Sequence, residues 1–215
     1  MKISCHPEGV VGVGPTPAQI MIVGIAPGKD EFLRSKQPFT GPSGKLLDGL
    51  LKFVNIRRED VYTTNLFCQW NDSPTPEEID GCFGRFLQEY KPVRPKIILC
   101  LGKIVTEYLI RPPFVKEWKT FQSKNYFGKI HGGAFWSDKL NCWMISTYHP
   151  SAYIKRGNEP LAAEIHDGVR DFRKLDTYLK ADKHFGKYTV TAATSVENAQ
   201  SIVDHYKDHY GNPDP

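Results

Sequence analysis

Ionisable and aromatic side chains are concentrated in one loop near the beginning of the chain. Between Gly28 and Thr40 lie Lys29, Asp30, Glu31, Arg34, Lys36 and Phe39. The loop therefore offers carboxylates, cationic groups and an aromatic ring for contacts with a ligand. It follows the apolar segment 20–23, and long polar loops at the carboxyl ends of parallel strands are where α/β folds bind ligands. The alternative interpretation is an ordinary surface loop.

The five cysteines divide into two groups by their surroundings. Cys100 lies in the apolar run IILCL and Cys142 lies in NCWMIST, so both are expected to be buried core thiols. Cys5, Cys68 and Cys82 lie in loops or at the ends of predicted elements, which makes them the candidates for metal chemistry. An odd number of cysteines does not suggest a secreted disulfide framework.

Apolar runs that alternate with helical patterns predict the elements that would position these residues. Four strands are predicted, at 20–23, 61–67, 97–101 and 143–147. A helix is predicted after Ser43 as N-cap, and a capping-box pattern of Thr75 with Glu78 begins a second helix, which Pro92 and Pro95 end. Two more helices are expected at about 103–109 and 160–179, with a hairpin around 128–136. This alternation predicts an α/β fold, with three αβα layers around a mainly parallel four-stranded sheet.

Length and composition exclude several classes of protein. The 215 residues can hold one α/β domain and an appendage, and a content of 40% hydrophobic and 24% charged residues is that of an ordinary globular protein. Neither a membrane-spanning run nor the apolar core of a signal peptide is present, so we expect a cytoplasmic protein. A net charge of +4 permits nucleic-acid binding without requiring it.

Four segments together resemble a known family. GIAPGKDE followed by PFTGPSGKLL resembles the first motif of the uracil-DNA glycosylase superfamily, most closely its iron–sulfur branch, often called family 4. VYTTNLFC at 61–68, SPTPEEIDGC at 73–82 and TYHPSAYIKR at 147–156 follow in the expected order, so the resemblance covers roughly residues 10–175. It implies a monomeric DNA-repair hydrolase that flips uracil out of DNA and hydrolyses its N-glycosidic bond.

The resemblance also implies roles for individual residues. Phe39 matches the aromatic residue that stacks on uracil, Asn65 matches the amide that reads the uracil edge, and His149 matches the histidine near uracil O2. Two further groups are implied by the same motifs: Gly24 and Ala26 for substrate binding, and Gly41, Ser43, Gly44, Ser151, Lys155 and Arg156 for DNA contacts. Each of these residues also has a purely structural interpretation, such as a core ring, a strand-end cap or a turn.

One departure from the family pattern concerns catalysis. In the iron–sulfur branch a glutamate that helps to activate water follows the first glycine of the motif, but here that position is Ile25. Glu31, with Asp30 beside it, is therefore the candidate water-orienting carboxylate. The alternative is a catalytically inactive glycosylase fold that binds DNA or uracil. A third hypothesis, a small nucleotide-binding protein of flavodoxin-like topology, lacks a glycine-rich phosphate loop.

A second departure concerns the cluster ligands. Cys68 and Cys82 match the third and fourth cysteines of the family, whereas the first pair, normally CxxC, is represented by Cys5 followed by His6. Three thiolates with one imidazole is an unusual set for an iron–sulfur centre. A [4Fe-4S] cluster of structural function, another metal and no metal are the three alternatives.

Residues 181–215 lie outside the resemblance and predict one strand and one helix. The text KYTVTAATSVENAQSIVDHY is similar to the lead-in to the proofreading domain of a family A DNA polymerase. We therefore expect a glycosylase-like domain at 1–180 and a βα extension. One interpretation is that the extension begins covalently linked polymerase domains, as in a phage protein that acts in the host cytoplasm. The alternative is that its strand and helix complete the first domain.

Overall fold

The computed structural model describes residues 8–111, 113–114, 127–154 and 162–180, without the side chains of 162–164 and 166. These ranges form a five-stranded sheet with the strand order β2-β1-β3-β5-β4. The strands are β1 (Ile20–Gly24), β2 (Val61–Asn65), β3 (Ile97–Leu101), β4 (Ala134–Ser137) and β5 (Cys142–Thr147). The helices are α1 (Pro42–Phe53), α2 (Pro76–Val93), α3 (Lys103–Ile110), α4 (Phe127–Ile130) and α5 (Ala162–Lys180). Short turns of π or 3-10 helix cover Glu31–Ser35, Arg58–Asp60 and Pro150–Tyr153.

The central strands read as continuous apolar runs because the sheet is covered on both faces. Every residue of β1, β2, β3 and β5 is buried. Along β1 the side chains alternate between two cores. Ile20 and Ile22 pack into one core, whereas Met21 and Val23 pack into the other.

Helices complete the two cores on opposite sides of the sheet. The core that contains Ile22 also contains Leu47 of α1 and Phe172 of α5. The other core contains Phe86 of α2 and Leu109 of α3. The predicted three-layer αβα fold with a mainly parallel sheet is therefore confirmed.

The structure adds a fifth strand at one edge of the sheet. β4 runs antiparallel to β5, and these two strands form a hairpin. The prediction of a hairpin around 128–136 was wrong, because Phe127–Ile130 is helical and the partner of β4 is the predicted fourth strand. The four predicted strands are the parallel ones. The sequence analysis missed β4 because it is only four residues long and lies at an edge.

Two helix ends differ from the predictions. Gly41, in extended conformation, is the N-cap of α1, so the prediction of Ser43 as N-cap was wrong; Pro42 takes the first helical position, which suits its fixed φ. The capping box of α2 is present as predicted. Pro92 does not end α2, however, because the helix continues to Val93 and ends at Arg94 in the left-handed conformation.

Some predictions fall on residues that the structure does not describe. The C-terminal extension, 181–215, lies entirely outside the described ranges, and so does the predicted start of the last helix at about 158–160. Among the helices of the described ranges, none combines the length and the apolar character that crossing a bilayer requires.

Candidate functional site

The parallel strands bring the predicted site residues to one edge of the sheet. β1, β2, β3 and β5 all point the same way, so their carboxyl ends meet at that edge. Gly24, the last residue of β1, is paired in register with Asn65, the last residue of β2. His149 follows β5 two residues beyond its end.

Gly24 lies against the Phe39 ring and the Asn65 amide. A methyl group on Gly24 would collide with Asn65 Oδ1 and would lie 2.7 Å from Phe39 Cζ. On the other side, the ring centroid of Phe39 lies 6.1 Å from that of His149, with the two planes 33° apart. The structure therefore brings Phe39 and Asn65 together at the end of β1 and places the His149 ring on the Phe39 ring.

Phe39 adopts an unusual backbone conformation that its neighbours hold in place. Its φ of 59° is left-handed, which costs a residue other than glycine on the order of 1–3 kcal/mol. Gly44, in the first turn of α1, packs so closely on the Phe39 carbonyl that a Cβ there would overlap it. Arg58 donates to the Pro38 carbonyl at 3.4 Å, and its guanidinium lies 5.9 Å from the centre of the Phe39 ring. These contacts fix the direction of the ring.

His149 is held as a neutral imidazole with a defined tautomer. Its Nδ1 atom accepts the backbone N–H of Ser151 at 3.2 Å and lies 2.7 Å from Ser151 Oγ. Burial lowers the pKa of His149 to about 4. Because Nδ1 is an acceptor and the ring is neutral, the ring proton is on Nε2, which is a hydrogen-bond donor.

The end of β5, which positions His149, is fixed from two sides. Thr147 donates to the buried carboxylate of Asp171 on α5 at 3.0 Å, and His131 Nδ1 contacts the same oxygen at 3.1 Å. Gly102, with a φ of 91°, lies beside His149, where a Cβ would be 3.3 Å from the histidine Cβ. These contacts fix the backbone on both sides of His149.

Arg85 on α2 fixes the backbone around Asn65. Its Nη2 group donates to the backbone carbonyls of Asn65 and Leu66, the second at 3.2 Å. Its Nη1 group pairs with Glu89 and donates to Thr64 Oγ1 at 3.2 Å. Thr64 in turn donates to Glu89 at 2.6 Å. This mostly buried ion pair ties the end of β2 to α2.

Sequence reasoning missed Arg85 and Glu89. Two signals were present: their i, i+4 spacing on α2, and the polar residues at the end of the fully buried strand β2, which need partners. Neither signal gives the tertiary contact, because Thr64 lies 25 residues from Glu89 in the chain.

Glu31 organises the loop between β1 and α1. Its carboxylate accepts the backbone N–H groups of Gly28 and Thr40 at 3.1 Å each, and that of Gly41 at 3.3 Å. The side chain is buried. Asp30 is instead 75% exposed and pairs with Arg34 at 3.4 Å on the loop surface. The two candidate carboxylates therefore occupy different environments.

The two residues after Gly24 are apolar and contact the core. Ile25 packs against the core on the α2 side of the sheet, and its carbonyl accepts the Phe67 N–H at 2.8 Å. Ala26 packs on the small cluster of Phe67, Cys68 and Cys82. The alkyl side chain of Ile25 has no titratable group, so this residue cannot act as an acid or a base in the site.

The two cysteines of this small cluster are close enough to share a metal centre. Both are buried, and their Sγ atoms lie 3.5 Å apart. Burial raises the pKa of Cys82. The other two candidate ligands, Cys5 and His6, lie outside the described residues, and within the described ranges no group of three potential ligands occurs.

Cys100 and Cys142 are buried core thiols, as predicted. Burial raises the pKa of Cys142 to about 12 and that of Cys100 still further from its ordinary value. Both thiols are therefore protonated and unreactive at neutral pH.

The backbone N–H groups at the start of α1 are partly engaged within the protein. The Gly41 N–H donates to Glu31, and the Gly44 N–H donates to the Gly41 carbonyl at 3.0 Å. Ser43 is partly exposed at the same end, whereas Gly44 is buried. Of these three, Ser43 is the residue whose side chain has access to a ligand.

The loop after β5 carries the other predicted DNA contacts. Ser151 is exposed and lies in the 3-10 turn Pro150–Tyr153. Its hydroxyl and its N–H both contact His149 Nδ1. Lys155 and Arg156 lie outside the described residues.

Comparison with known proteins places this site in a family. Residues 11–173 match the family model described as the uracil DNA glycosylase superfamily. A type-4 uracil-DNA glycosylase of Archaeoglobus fulgidus is 37% identical over 169 residues, which cover 77% of this chain and 79% of the relative. A type-4 uracil-DNA glycosylase of Saccharolobus solfataricus is 34% identical over 81% of this chain and 77% of the relative. The type-4 uracil-DNA glycosylase of Thermotoga maritima is 29% identical over 80% of this chain and 84% of the relative. The chain therefore belongs to the uracil-DNA glycosylase superfamily.

Proposed function

We propose that this protein excises uracil from DNA by base flipping and hydrolysis of the N-glycosidic bond. The observation that carries the proposal is the position of Phe39 at the carboxyl edge of the sheet: the tip of its ring borders Gly24 together with the Asn65 amide, and its ring centroid lies 6.1 Å from that of His149. A base can enter a site between three such side chains only after it has left the DNA stack, because its edge and faces are otherwise covered.

Selection of uracil is assigned to Asn65 and Phe39. A side-chain amide offers a donor and an acceptor together, so it can pair with the edge of uracil and distinguish it from cytosine. Phe39 supplies a flat apolar surface for the pyrimidine ring. Gly24 allows the Asn65 amide and the Phe39 ring to lie close against the end of β1, where any larger residue would displace them.

His149 is assigned the role of stabilising the departing base. Cleavage of the glycosidic bond leaves negative charge on the uracil, including its O2 atom. A neutral imidazole that donates from Nε2 stabilises this charge without itself needing to gain a proton, and the low pKa of His149 keeps it neutral at physiological pH. A single preorganised donor of this kind contributes on the order of 10²-fold or more in rate.

Glu31 is proposed as the carboxylate that orients the attacking water. Three backbone N–H groups bind its two oxygens, which leaves capacity for one further hydrogen bond. A carboxylate fixed in this way can hold a water toward the anomeric carbon and favour the developing positive charge on the sugar. Asp30 is the alternative, and its exposure makes it the weaker one.

Contacts with the DNA backbone are assigned to the loops that surround the pocket. Ser43 at the start of α1 and Ser151, Lys155 and Arg156 after β5 supply hydroxyl and cationic groups for phosphates. Such contacts position the DNA without reading its sequence, which suits an enzyme that must find uracil in any context.

A structural cluster is proposed near the pocket. Cys68 and Cys82, with Cys5 and His6, would hold a [4Fe-4S] cluster; the closeness of the two described sulfur atoms supports a shared site, although the cluster requires them to move apart so that each can bind a different iron. Base excision transfers no electrons, so the group would pin the loop after β2 to the start of α2. The chemistry assigned above rests on Phe39, Asn65, His149 and Glu31 alone.

A second candidate function is a binding module without catalysis. It is favoured by Ile25, which packs into the core where the iron–sulfur branch has a glutamate. Such a module would bind DNA tightly and with strong salt dependence, but would leave no abasic site.

The test is the formation of abasic sites in uracil-containing oligonucleotides, single- and double-stranded, detected by alkaline strand cleavage. The wild-type protein is expected to cleave the glycosidic bond, and His149→Ala to lower the rate on the order of 10²-fold or more. A folded protein that yields no abasic product, with or without iron and sulfide reconstitution, would instead support the binding module.

A further inference from the structure

An exposed tryptophan lies in the loop that follows Asn65 and β2, and it has no role in the function described so far. Trp70 is 43% exposed, whereas Trp143 is buried and Trp136 is partly buried. Leaving a large indole in water forgoes the free energy that burial would give. An indole face that stays in water is available for stacking on a planar ligand.

A lysine completes this surface. The Lys29 Nζ atom lies 5.3 Å from the centre of the Trp70 ring. Lys29 and Trp70 come from different loops, the first after β1 and the second after β2. An aromatic face with an adjacent cation is the combination that binds a base by stacking and its phosphate by charge.

The loop that carries Trp70 is held rigid without any ligand. Asn71 accepts the Ser73 N–H at 3.0 Å and donates to Glu78 at 3.2 Å. Glu78 belongs to the capping box of α2, and Cys68 on the other side of Trp70 is buried. The indole is therefore presented by an ordered segment, which lowers the entropic cost of stacking.

The same two loops line the proposed uracil pocket. The N–H groups of Leu66 and Phe67 donate to the carbonyls of Gly24 and Ile25 at 2.9 and 2.8 Å, which joins the loops side by side. Trp70 lies five residues after Asn65, and Lys29 lies two residues before Glu31. The exposed pair therefore lies on the two loops that leave the ends of β1 and β2, the strands that end at Gly24 and Asn65.

We propose that Trp70 and Lys29 form a stacking site for the unpaired base next to the flipped uracil. A base in duplex DNA already stacks on both neighbours, so only a single strand gains fully from the indole. The protein is therefore adapted to uracil in single-stranded DNA. This inference rests on the proposed function, because only an enzyme that flips uracil has a flipped uracil beside the stacked base. Binding of a single strand by Trp70, however, does not require excision.

Binding to a labelled, uracil-free single-stranded oligonucleotide, measured by fluorescence anisotropy, tests the proposal. Trp70→Ala is expected to weaken binding about tenfold, within the range for one base on one aromatic ring, and Trp70→Phe to retain most of the affinity. Lys29→Ala is expected to reduce the slope of log K against log salt by about 0.7, the value for one phosphate on a single strand. Duplex binding should change much less.

A matched control comes from Phe53 and Arg173. Phe53 is 57% exposed, and the Arg173 guanidinium lies 5.4 Å from its ring centre, so the pair resembles Trp70 and Lys29 chemically. Phe53 ends α1, whose first turn lies by the pocket, so the control pair lies a helix length away. Phe53→Ala should leave single-strand binding unchanged.

Equal single-strand affinity of wild type and Trp70→Ala would overturn the proposal, as would equal losses on single-stranded and duplex DNA. Quenching of tryptophan fluorescence by the single strand, absent in Trp70→Phe, supplies a readout independent of the alanine variant. A different result would contradict the proposed function alone: wild-type protein that binds the single strand through Trp70 but forms no abasic sites.

Discussion

The backbone N–H of Ser151 donates to Nδ1 of His149 at 3.2 Å, two residues away in the same turn. This short-range contact decides the tautomer of the histidine and leaves Nε2 as the donor. The local turn, rather than a distant charged partner, therefore prepares the group that we assign to the leaving base.

His149 should remain neutral far below the ordinary histidine range. We expect nitrogen NMR to show the Nε2–H tautomer from pH 8 to pH 5, with protonation near pH 4. The acid limb of kcat/KM should then lie near 4 rather than near 6.5. An inflection near 6.5 that vanishes in His149→Gln would contradict this assignment.

The same pKa has a consequence for stability. The unfolded chain takes up a proton on this histidine near pH 6.5, whereas the folded chain does so only near 4. Between these values the unfolded state binds more protons, so the free energy of unfolding falls as the pH drops from about 6.5 to 4, by at most about 1.4 kcal/mol per pH unit. Urea denaturation of wild type and His149→Gln across this range measures the difference.

Gly24→Ala should strongly reduce activity with little loss of stability. The added methyl would meet the ends of the Asn65 and Phe39 side chains, which can move away without backbone change. Both would leave their positions in the pocket. We expect a fall in kcat/KM on the order of 10²-fold, measured by abasic-site formation.

Gly49→Ala is the control for this substitution, because a Cβ there meets nothing within 4 Å. It should leave activity unchanged and, in the middle of α1, raise the free energy of unfolding by up to about 1 kcal/mol. Equal activity of Gly24→Ala and Gly49→Ala would refute the proposed pocket.

Arg85→Met should destabilise the protein and impair uracil recognition together. It leaves Glu89 as a mostly buried charge, which costs about 3–5 kcal/mol when a buried partner is lost. It also releases the Asn65 carbonyl. Thermal denaturation and KM for a uracil-containing strand test both effects.

Arg85→Met combined with Glu89→Leu removes the isolated charge. The double variant should recover much of the stability but not the affinity, because Asn65 remains unsupported. Full recovery of both would show that Arg85 has no part in positioning the amide.

Cys68→Ala should remove any iron–sulfur absorbance near 400 nm, a rough expectation for such centres. Cys100→Ala is the matched control, since both thiols are buried but only Cys68 lies beside Cys82. Both variants should lose some packing energy, and only Cys68→Ala should lose colour and bound iron. Colour that persists in Cys68→Ala would exclude this residue as a ligand.

The parts of the fold that local sequence determines were predictable. Segments such as Ile97–Leu101 are apolar at every position because both faces of the sheet are covered. The capping box of Thr75 and Glu78 needs only residues three apart. The convergence of Phe39, Asn65 and His149 was expected from motif resemblance, since spacing alone gives no contact between residues so far apart in the chain.

Features that depend on tertiary contacts were not predictable. Glu31 was expected near the sugar, and its three backbone partners could not be read from the sequence, because two of them lie nine and ten residues away. Arg85 resembles an ordinary surface residue of an amphipathic helix until α2 packs on β2. Ser43 has the side chain of an N-cap, but Pro42 shifts the helix start to Gly41.

The carboxylate of Glu31 joins Gly28 to Thr40 and Gly41 before any DNA is present. A loop that is already ordered in this way loses little further entropy when a base binds, and the roles proposed for Phe39, Asn65 and His149 do not require the base to be attached to a sugar. The excised product should therefore rebind, and free uracil should act as a competitive inhibitor of its own release.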